Sequence, residues 1–249
     1  MSSPGLALMG GRVRVPLAWT SVLAVIAHPD EGSSGLGAIL DAFVLAGARV
    51  EVLCLTHAQL WTLQAAPGDL AALRGAELPS AADVLGPTRA QMNDLPDGEL
   101  VDRGQTNLAA EVFAAAASCL PDGLLVFDTA EVTGHLDHVA ASTAALLAAE
   151  TLALPVLGWA LSDEVAARLR QEFGVPLIAD QDMQIDLWVS LERARQRLAS
   201  HALQGAGPPG SVRWSRLQLL ASTRSLRWLR PPAPQHVQEG VPAPPADHP

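Results

Sequence analysis

The feature that most constrains the fold is a strand, helix, strand pattern over residues 22–56. An uninterrupted apolar run, residues 22–27, is typical of a strand buried on both faces. Apolar residues then recur at helical spacing over 35–46, and Gly47 stands where a helix would end. A second apolar and β-branched run covers 50–56. This order predicts a right-handed βαβ unit and a sheet that is at least partly parallel.

The same alternation continues along the chain. Strands are predicted over 124–128, 156–161 and 184–189, and helices over 69–86, 107–119, 138–150, 163–173 and 190–203. The pattern predicts the α/β class, with a Rossmann-like, doubly wound and mostly parallel sheet that has helices on both faces. Ligands bind beyond the carboxyl ends of the strands in such folds. Residues 211–230, rich in Trp and Leu, predict a packed helix or hairpin that covers the core.

The length of 249 residues fits one large α/β domain, which we expect over residues 1–230. From Pro231 onward the chain is rich in proline and has few apolar anchors. Such a composition cannot bury enough apolar surface to offset the entropy of ordering. Residues 231–249 are therefore predicted to form a disordered or extended tail.

Charge composition excludes several classes of partner and mechanism. The net charge is -10 and the chain contains no lysine, so no basic stripe is available for binding nucleic acid. The absence of lysine also excludes Schiff-base and P-loop chemistry. The absence of tyrosine removes a phenol as an oxyanion donor. Catalytic groups must therefore come from His, Asp, Glu and Arg.

Cysteine usage favours a cytoplasmic protein. Cys54 and Cys119 lie in apolar surroundings and match no secreted framework. Arg12 and Arg14 followed by the apolar run 15–27 imitate an export signal, an alternative that we rank lower because cleavage there would delete the first predicted strand. No apolar stretch reaches the length of about 18 residues that a membrane span requires, so no membrane span is predicted.

Two short polar clusters, HPDE at 28–31 and HLDH at 135–138, follow predicted strands. Imidazole nitrogens and carboxylate oxygens at the ends of parallel strands are what a catalytic metal site requires. His28 and Glu31 lie three residues apart on a tight turn and can bind one metal ion. His138 supplies a second nitrogen from across the sheet. The set of two histidines and one carboxylate leaves an open position for water.

Asp30 is left free to face the attacking water as a general base. Zinc is the predicted metal, with iron(II) or another divalent ion as the alternative, because this ligand set suits both. Each side chain taken singly also has a structural explanation, with His28 ending a strand, Asp30 and Asp137 capping helices, and His135 at the surface. Two clusters at equivalent strand ends favour the metal site.

These motifs give the chain a family resemblance. From about Val22 to about Gln204 it resembles the LmbE-like or PIG-L family of zinc-dependent N-acetylglucosaminyl deacetylases. The stretches AHPDE and GHLDH are specific when they occur together. Weaker support comes from LTHAQ, RGAELPSAADVLG followed by LPDG, WALSDEVAARL and DLWVSLERARQRLASHALQ.

The resemblance implies a role for seven side chains of the site. It implies that His28, Glu31 and His138 bind the metal and that Asp30 is the general base. His135 would stabilise or protonate the tetrahedral intermediate, and Asp137 would be the acid that orients His135. Arg74 would be the arginine on the substrate side.

The chain departs from the family at two points. Glu31 stands where the family usually has a second aspartate, and the extra methylene misplaces the carboxylate unless the backbone compensates. Some members also carry a tyrosine near the site, which this chain lacks. Oxyanion stabilisation would then rest on the metal and His135.

The resemblance implies hydrolysis of the amide of an N-acetylglucosamine-type substrate, which yields acetate and a free amino sugar. The expected partner is a small N-acetylated amino sugar, and the sequence does not decide whether the chain forms a homo-oligomer. The alternative is a metal-free Rossmann-like module that binds a nucleotide or a sugar, since residues 32–37 hold glycines between strand and helix. Their spacing is not GxGxxG, and the neighbouring acidic pair would repel a pyrophosphate.

Overall fold

The computed structural model describes residues 19–29, 31, 36–56, 88–129, 135–173, 185–188 and 223–233. Its strands are β1 (Ser21–Ile26), β2 (Arg49–Thr56), β3 (Thr88–Leu95), β4 (Gly123–Phe127), β5 (Val156–Ala160), β6 (Ile185–Trp188) and β7 (Thr223–Arg230). Its helices are α1 (Gly37–Leu45), α2 (Gln105–Cys119), α3 (Leu136–Leu152) and α4 (Asp163–Phe173), with a 3-10 turn at Leu100–Arg103.

The strands form one sheet in the order β3-β2-β1-β4-β5-β7-β6. Strands β1 to β5 pair in parallel, whereas β7 runs antiparallel to both β5 and β6. Val22 of β1 lies opposite Val50 of β2 on one side and opposite Gly123 of β4 on the other. The sheet is therefore doubly wound and mostly parallel, which confirms the predicted fold class.

The core has two layers, one on each face of the sheet. Val22, Ala24 and Ile26 of β1 pack in the layer that contains α1 and part of α4. The alternating residues Leu23 and Val25 pack in the layer that contains α2 and α3. Because successive side chains of a strand point to opposite faces, a strand covered on both sides must be apolar throughout. This explains the continuous apolar runs of the sequence.

The order of the strands creates a crevice at the site predicted from the sequence. The chain leaves β1 for β2 on one side and occupies β4 on the other, so the connections diverge at the carboxyl ends of β1 and β4. Divergence of this kind is the usual position of a ligand site in open α/β sheets. His28 follows β1 there, and α3 with its histidines begins after β4.

Most predicted elements lie within about two residues of the observed ones. Residues 21–26 of the run that imitates an export signal form β1. The predicted helices 69–86 and 190–203 and the tail from residue 234 lie outside the described residues, so the domain limits stay predictions. No helix in the described part of the chain is long and apolar enough to cross a membrane.

The structure differs from the prediction at two strands. β3 was not predicted, because this edge strand has the polar sequence TRAQMNDL and none of its described side chains is buried. Of the covering helix or hairpin predicted over 211–230, residues 211–222 lie outside the described part of the chain, and the helix is wrong for residues 223–230, which form β7 inside the sheet. Its arginines at 224, 227 and 230 and its leucines at 226 and 229 repeat every three residues, a spacing that favours a helix over a strand.

Candidate metal centre

The turn after β1 places His28 and Glu31 side by side. The Glu31 backbone N–H donates to the carbonyl oxygen of His28 at 3.2 Å. The Glu31 side chain folds back over the strand end, where its Oε1 accepts from the His28 backbone N–H at 2.8 Å and its Oε2 from that of Ala27 at 3.2 Å. Both side chains are buried. The backbone therefore aims the longer acid at the crevice.

Three donor atoms from two elements converge in the crevice. Glu31 Oε1 lies 2.9 Å from His28 Nδ1 and 2.8 Å from His138 Nε2. The two ring nitrogens lie 3.2 Å apart. Ligand atoms about 2.0 Å from a tetrahedral zinc ion are about 3.3 Å from one another. The three donors thus fit a single divalent cation without a large side-chain movement.

The charges around His28 favour a cation. Burial alone would lower the pKa of His28, but the hydrogen bonds that its ring donates to Asp137, Asp97 and Glu31, together with the charge of Glu31, raise it to about 12. Burial would raise the pKa of Glu31, whereas the charge of His138 and the hydrogen bonds that Glu31 accepts from both histidines lower it to about 2. Three buried carboxylates around one imidazole leave an excess of negative charge. A divalent cation would compensate it.

Asp97 and Asp137 contact the outer nitrogen of His28. Asp97 Oδ1 lies 2.7 Å and Asp137 Oδ2 lies 3.2 Å from His28 Nε2. These two acids and His28 form a second group close enough to share a metal ion. A carboxylate on the far nitrogen of a histidine is the common arrangement behind a metal ligand. The Nδ1 side, where His138 and Glu31 also converge, is therefore the candidate position for a metal ion.

His135 begins α3 and lies at the edge of the same cluster. Its Nδ1 accepts a hydrogen bond from the backbone N–H of Asp137 at 3.2 Å, as a helix cap. Its ring centroid is 4.8 Å from that of His28 and 4.8 Å from that of His138. Burial first, and then the positive charges of His28 and His138, lower its pKa. A neutral His135 with Nδ1 accepting carries its proton on Nε2, where it can be donated to an oxyanion.

Aromatic packing holds His138 from the core side. Phe127 at the end of β4 lies 4.9 Å from the His138 ring, and Trp159 of β5 packs edge-on against Phe127 at 5.1 Å. The next residue, Asp128, is buried and receives two hydrogen bonds from the Arg227 guanidinium of β7. The carboxyl end of β4 is thus fixed by side chains of the adjacent strand β5 and of β7, which lies beyond β5 in the sheet.

Five of the seven site residues predicted from the sequence come together in the structure. They are His28, Glu31, His135, Asp137 and His138. Asp137 reaches His135 through its backbone N–H, while its carboxylate accepts from His28 and from the backbone N–H groups of Gly98 and Leu100. Asp30 and Arg74 lie outside the described residues, so their roles stay predictions.

Sequence reasoning did not single out Asp97, which is 4% exposed and contacts His28. Its signal was present in the stretch LPDG, an acid directly after the end of a strand. Asp97 could be placed at a strand end only if β3 was recognised as a strand, and the polar sequence of β3 does not indicate one. A third strand end with a buried acid would have completed the pattern seen after β1 and β4.

Comparison with known proteins identifies relatives. The family model described as GlcNAc-PI de-N-acetylase, PIG-L, matches residues 23–149. A curated relative from Saccharopolyspora erythraea, 1D-myo-inositol 2-acetamido-2-deoxy-alpha-D-glucopyranoside deacetylase 2, is 32% identical over 167 residues. The match covers 55% of this chain and 60% of the relative, so the chain spans about three fifths of the relative's length.

Solved structures share the fold at lower identity. The zinc-inhibited form of a teicoplanin deacetylase is 20% identical, with a TM-score of 0.63 over 84% of this chain and 97% of that one. The 4-carboxy-2-hydroxymuconate hydratase of Pseudomonas putida KT2440 is 14% identical, with a TM-score of 0.62 over 85% and 97%. A fold shared by a deacetylase and a hydratase does not determine the reaction, which must be argued from the site.

Proposed function

Because the chain belongs to the GlcNAc-PI de-N-acetylase (PIG-L) family, we propose that it is a metal-dependent amide hydrolase that removes the acetyl group from an N-acetylated amino sugar. The observation that carries the proposal is the convergence of His28 Nδ1, Glu31 Oε1 and His138 Nε2 within 3.2 Å of one another. The metal-free nucleotide-binding alternative has no support from the relatives. Three buried carboxylates at the crevice would also repel a pyrophosphate.

His28, Glu31 and His138 would hold the metal ion. When bound, a divalent cation supplies Lewis acidity, which polarises an amide carbonyl and makes water more acidic. We propose zinc, with iron(II) or another divalent ion as the alternative, since the donor set alone suits both. The zinc-inhibited state of the teicoplanin deacetylase makes it necessary to titrate the metal, because excess zinc can mask activity.

The remaining residues of the site would move protons and orient the substrate. We propose that Asp30 takes a proton from the attacking water, while the Nε2–H of His135 stabilises the negative carbonyl oxygen. A carbon–oxygen bond to water forms, the amide carbon–nitrogen bond breaks, and the departing amine takes the proton from Asp30 or His135. Arg74 would contact the substrate. The products are acetate and a free amino sugar.

An amine-release screen tests this proposal. Protein stripped of metal would receive zinc, iron(II) or manganese from below one equivalent to an excess, with a panel of N-acetylglucosaminyl compounds as substrates. We expect amine release that depends on metal and is lost in His138→Ala. A protein that binds one metal ion per chain but releases amine from no member of the panel would contradict the proposed substrate class. The cytoplasmic location and a homo-oligomer stay predictions.

A further inference from the structure

We propose that Asp97 is a positioning residue that fixes the ring of His28 with its proton on Nε2 and thereby sets the metal affinity of the site. The inference rests on the metal site of the proposed function but not on the identity of its substrate. Asp97 has no place among the ligands or the proton-transfer groups proposed above, and it acts through His28.

The contact between Asp97 and His28 is short and shielded from water. Asp97 Oδ1 lies 2.7 Å from His28 Nε2, and the two side chains are 2% and 3% exposed. Asp137 Oδ2 is farther from the same nitrogen, at 3.2 Å. Asp97 is therefore the main acceptor for a proton on Nε2, in a region where water cannot replace it.

The turn that carries Asp97 is itself held by α3. The backbone N–H of Gly98 donates to Asp137 Oδ2 at 2.7 Å, and that of Leu100 donates to Asp137 Oδ1 at 3.1 Å. Gly98 has a φ of +81°, which a residue with a side chain rarely adopts. Asp137 stands next to the ligand His138, so one helix terminus positions both a proposed ligand and the acid behind the other histidine.

Once His28 has lost one proton, the remaining proton can lie on either nitrogen, and only one choice leaves Nδ1 free to bind a metal ion. A proton on Nε2 satisfies the Asp97 carboxylate and leaves the Nδ1 lone pair facing Glu31 and His138. A proton on Nδ1 would face the cation and would set the Nε2 lone pair against a carboxylate. Removing the carboxylate therefore makes the unproductive tautomer and other ring orientations accessible.

Metal affinity tests the proposal directly. Zinc dissociation constants would be measured by competition with a chromogenic chelator for the wild type, Asp97→Ala and Asp97→Asn. The matched control is Asp102→Asn, which removes an exposed carboxylate from the neighbouring 3-10 turn. We expect binding to weaken about 10- to 100-fold in Asp97→Ala, the range found when the carboxylate behind a ligating histidine is removed. Asp97→Asn should weaken it less, and Asp102→Asn should leave it unchanged.

A spectroscopic readout separates positioning from a general structural effect. In the zinc-loaded wild type, nitrogen-edited NMR should show a downfield His28 Nε2–H, and this signal should shift or exchange with water in both Asp97 variants. Asp97→Asn keeps the volume and one acceptor oxygen, so it serves if Asp97→Ala does not fold. An unchanged zinc affinity and an unchanged Nε2–H signal in a folded Asp97 variant would overturn the inference alone. A wild type that binds no divalent metal would overturn the metal site as well.

Discussion

The Glu31 carboxylate is tied to the backbone of its own turn, which bears on whether the longer acid weakens the site. Its oxygens accept from the N–H groups of Ala27 and His28 while Oε1 also faces both histidine nitrogens. The backbone has adapted to glutamate. We expect Glu31→Asp to lose these contacts and to weaken zinc binding at least about tenfold, or about 1.4 kcal/mol. Chelator competition measures this, and stronger binding by Glu31→Asp would show that glutamate is a poor ligand here.

The proposed binding of a metal ion to Nδ1 requires His28 to give up a proton. Its pKa of about 12 in the metal-free protein keeps it doubly protonated at neutral pH, because burial is outweighed by its three carboxylate partners. Since a cation competes with that proton, zinc affinity should rise as the pH rises from about 6 to 8. Calorimetry in two buffers of different ionisation enthalpy should show release of about one proton or more at pH 7. Binding without proton release would place the metal away from His28.

Asp30 has one proposed task and no proposed bond to the metal. Asp30→Asn keeps the size of the side chain but removes the base. Turnover should therefore fall about 100- to 10,000-fold, while the zinc content stays near that of the wild type. Steady-state kinetics together with metal analysis check both parts. Loss of metal in Asp30→Asn would instead identify Asp30 as a ligand and would exchange the roles of Asp30 and Glu31.

At the scale of the elements, the sequence predicts the strands whose own residue pattern reveals them. It fails for strands whose form depends on their position in the sheet and on their neighbours. β1, β2, β4 and β5 are apolar runs because both faces of each strand are covered, so composition alone reveals them. β3 is polar at the edge, and the three-residue spacing in β7 hides a strand. The same holds at the site, because the position of Asp97 depends on β3 and on a turn held by α3.

The sequence did not predict the packing of β7 against β5, and a pair of substitutions can test this contact. Gly158 of β5 leaves room for Leu229 of β7, since a Cβ at Gly158 would lie 2.8 Å from Leu229 Cδ1 and 2.9 Å from its Cγ. We expect Gly158→Ala to lower the free energy of unfolding by about 1–3 kcal/mol through overpacking. In denaturant titrations, Gly158→Ala with Leu229→Ala should be less destabilised than the sum of the single variants. Strict additivity would contradict this pairing.

At the scale of the whole molecule, the candidate metal centre joins parts of the chain that are far apart in sequence. His28 follows the central strand, Asp97 follows the edge strand β3, and His138 belongs to α3. A ligand that binds only when these parts are assembled favours the folded state by mass action. Metal binding should therefore stabilise the whole fold rather than the crevice alone.

We expect this coupling to appear as a metal-dependent melting temperature. Free zinc at 100 times its dissociation constant adds about 2.7 kcal/mol to the stability of the folded state, which for a domain of this size raises the Tm by about 5–10 °C. Calorimetry or circular dichroism of the full chain, with and without chelator, measures the shift. His138→Ala should abolish it, because a proposed ligand is lost. His135→Ala should retain it, because that ring caps α3 and is assigned to the oxyanion rather than to the metal.

The three histidines are nevertheless close enough to form a metal group of their own. If His135→Ala abolished the shift and Glu31→Gln did not, the metal would be held by His28, His135 and His138, and Glu31 would serve to orient them.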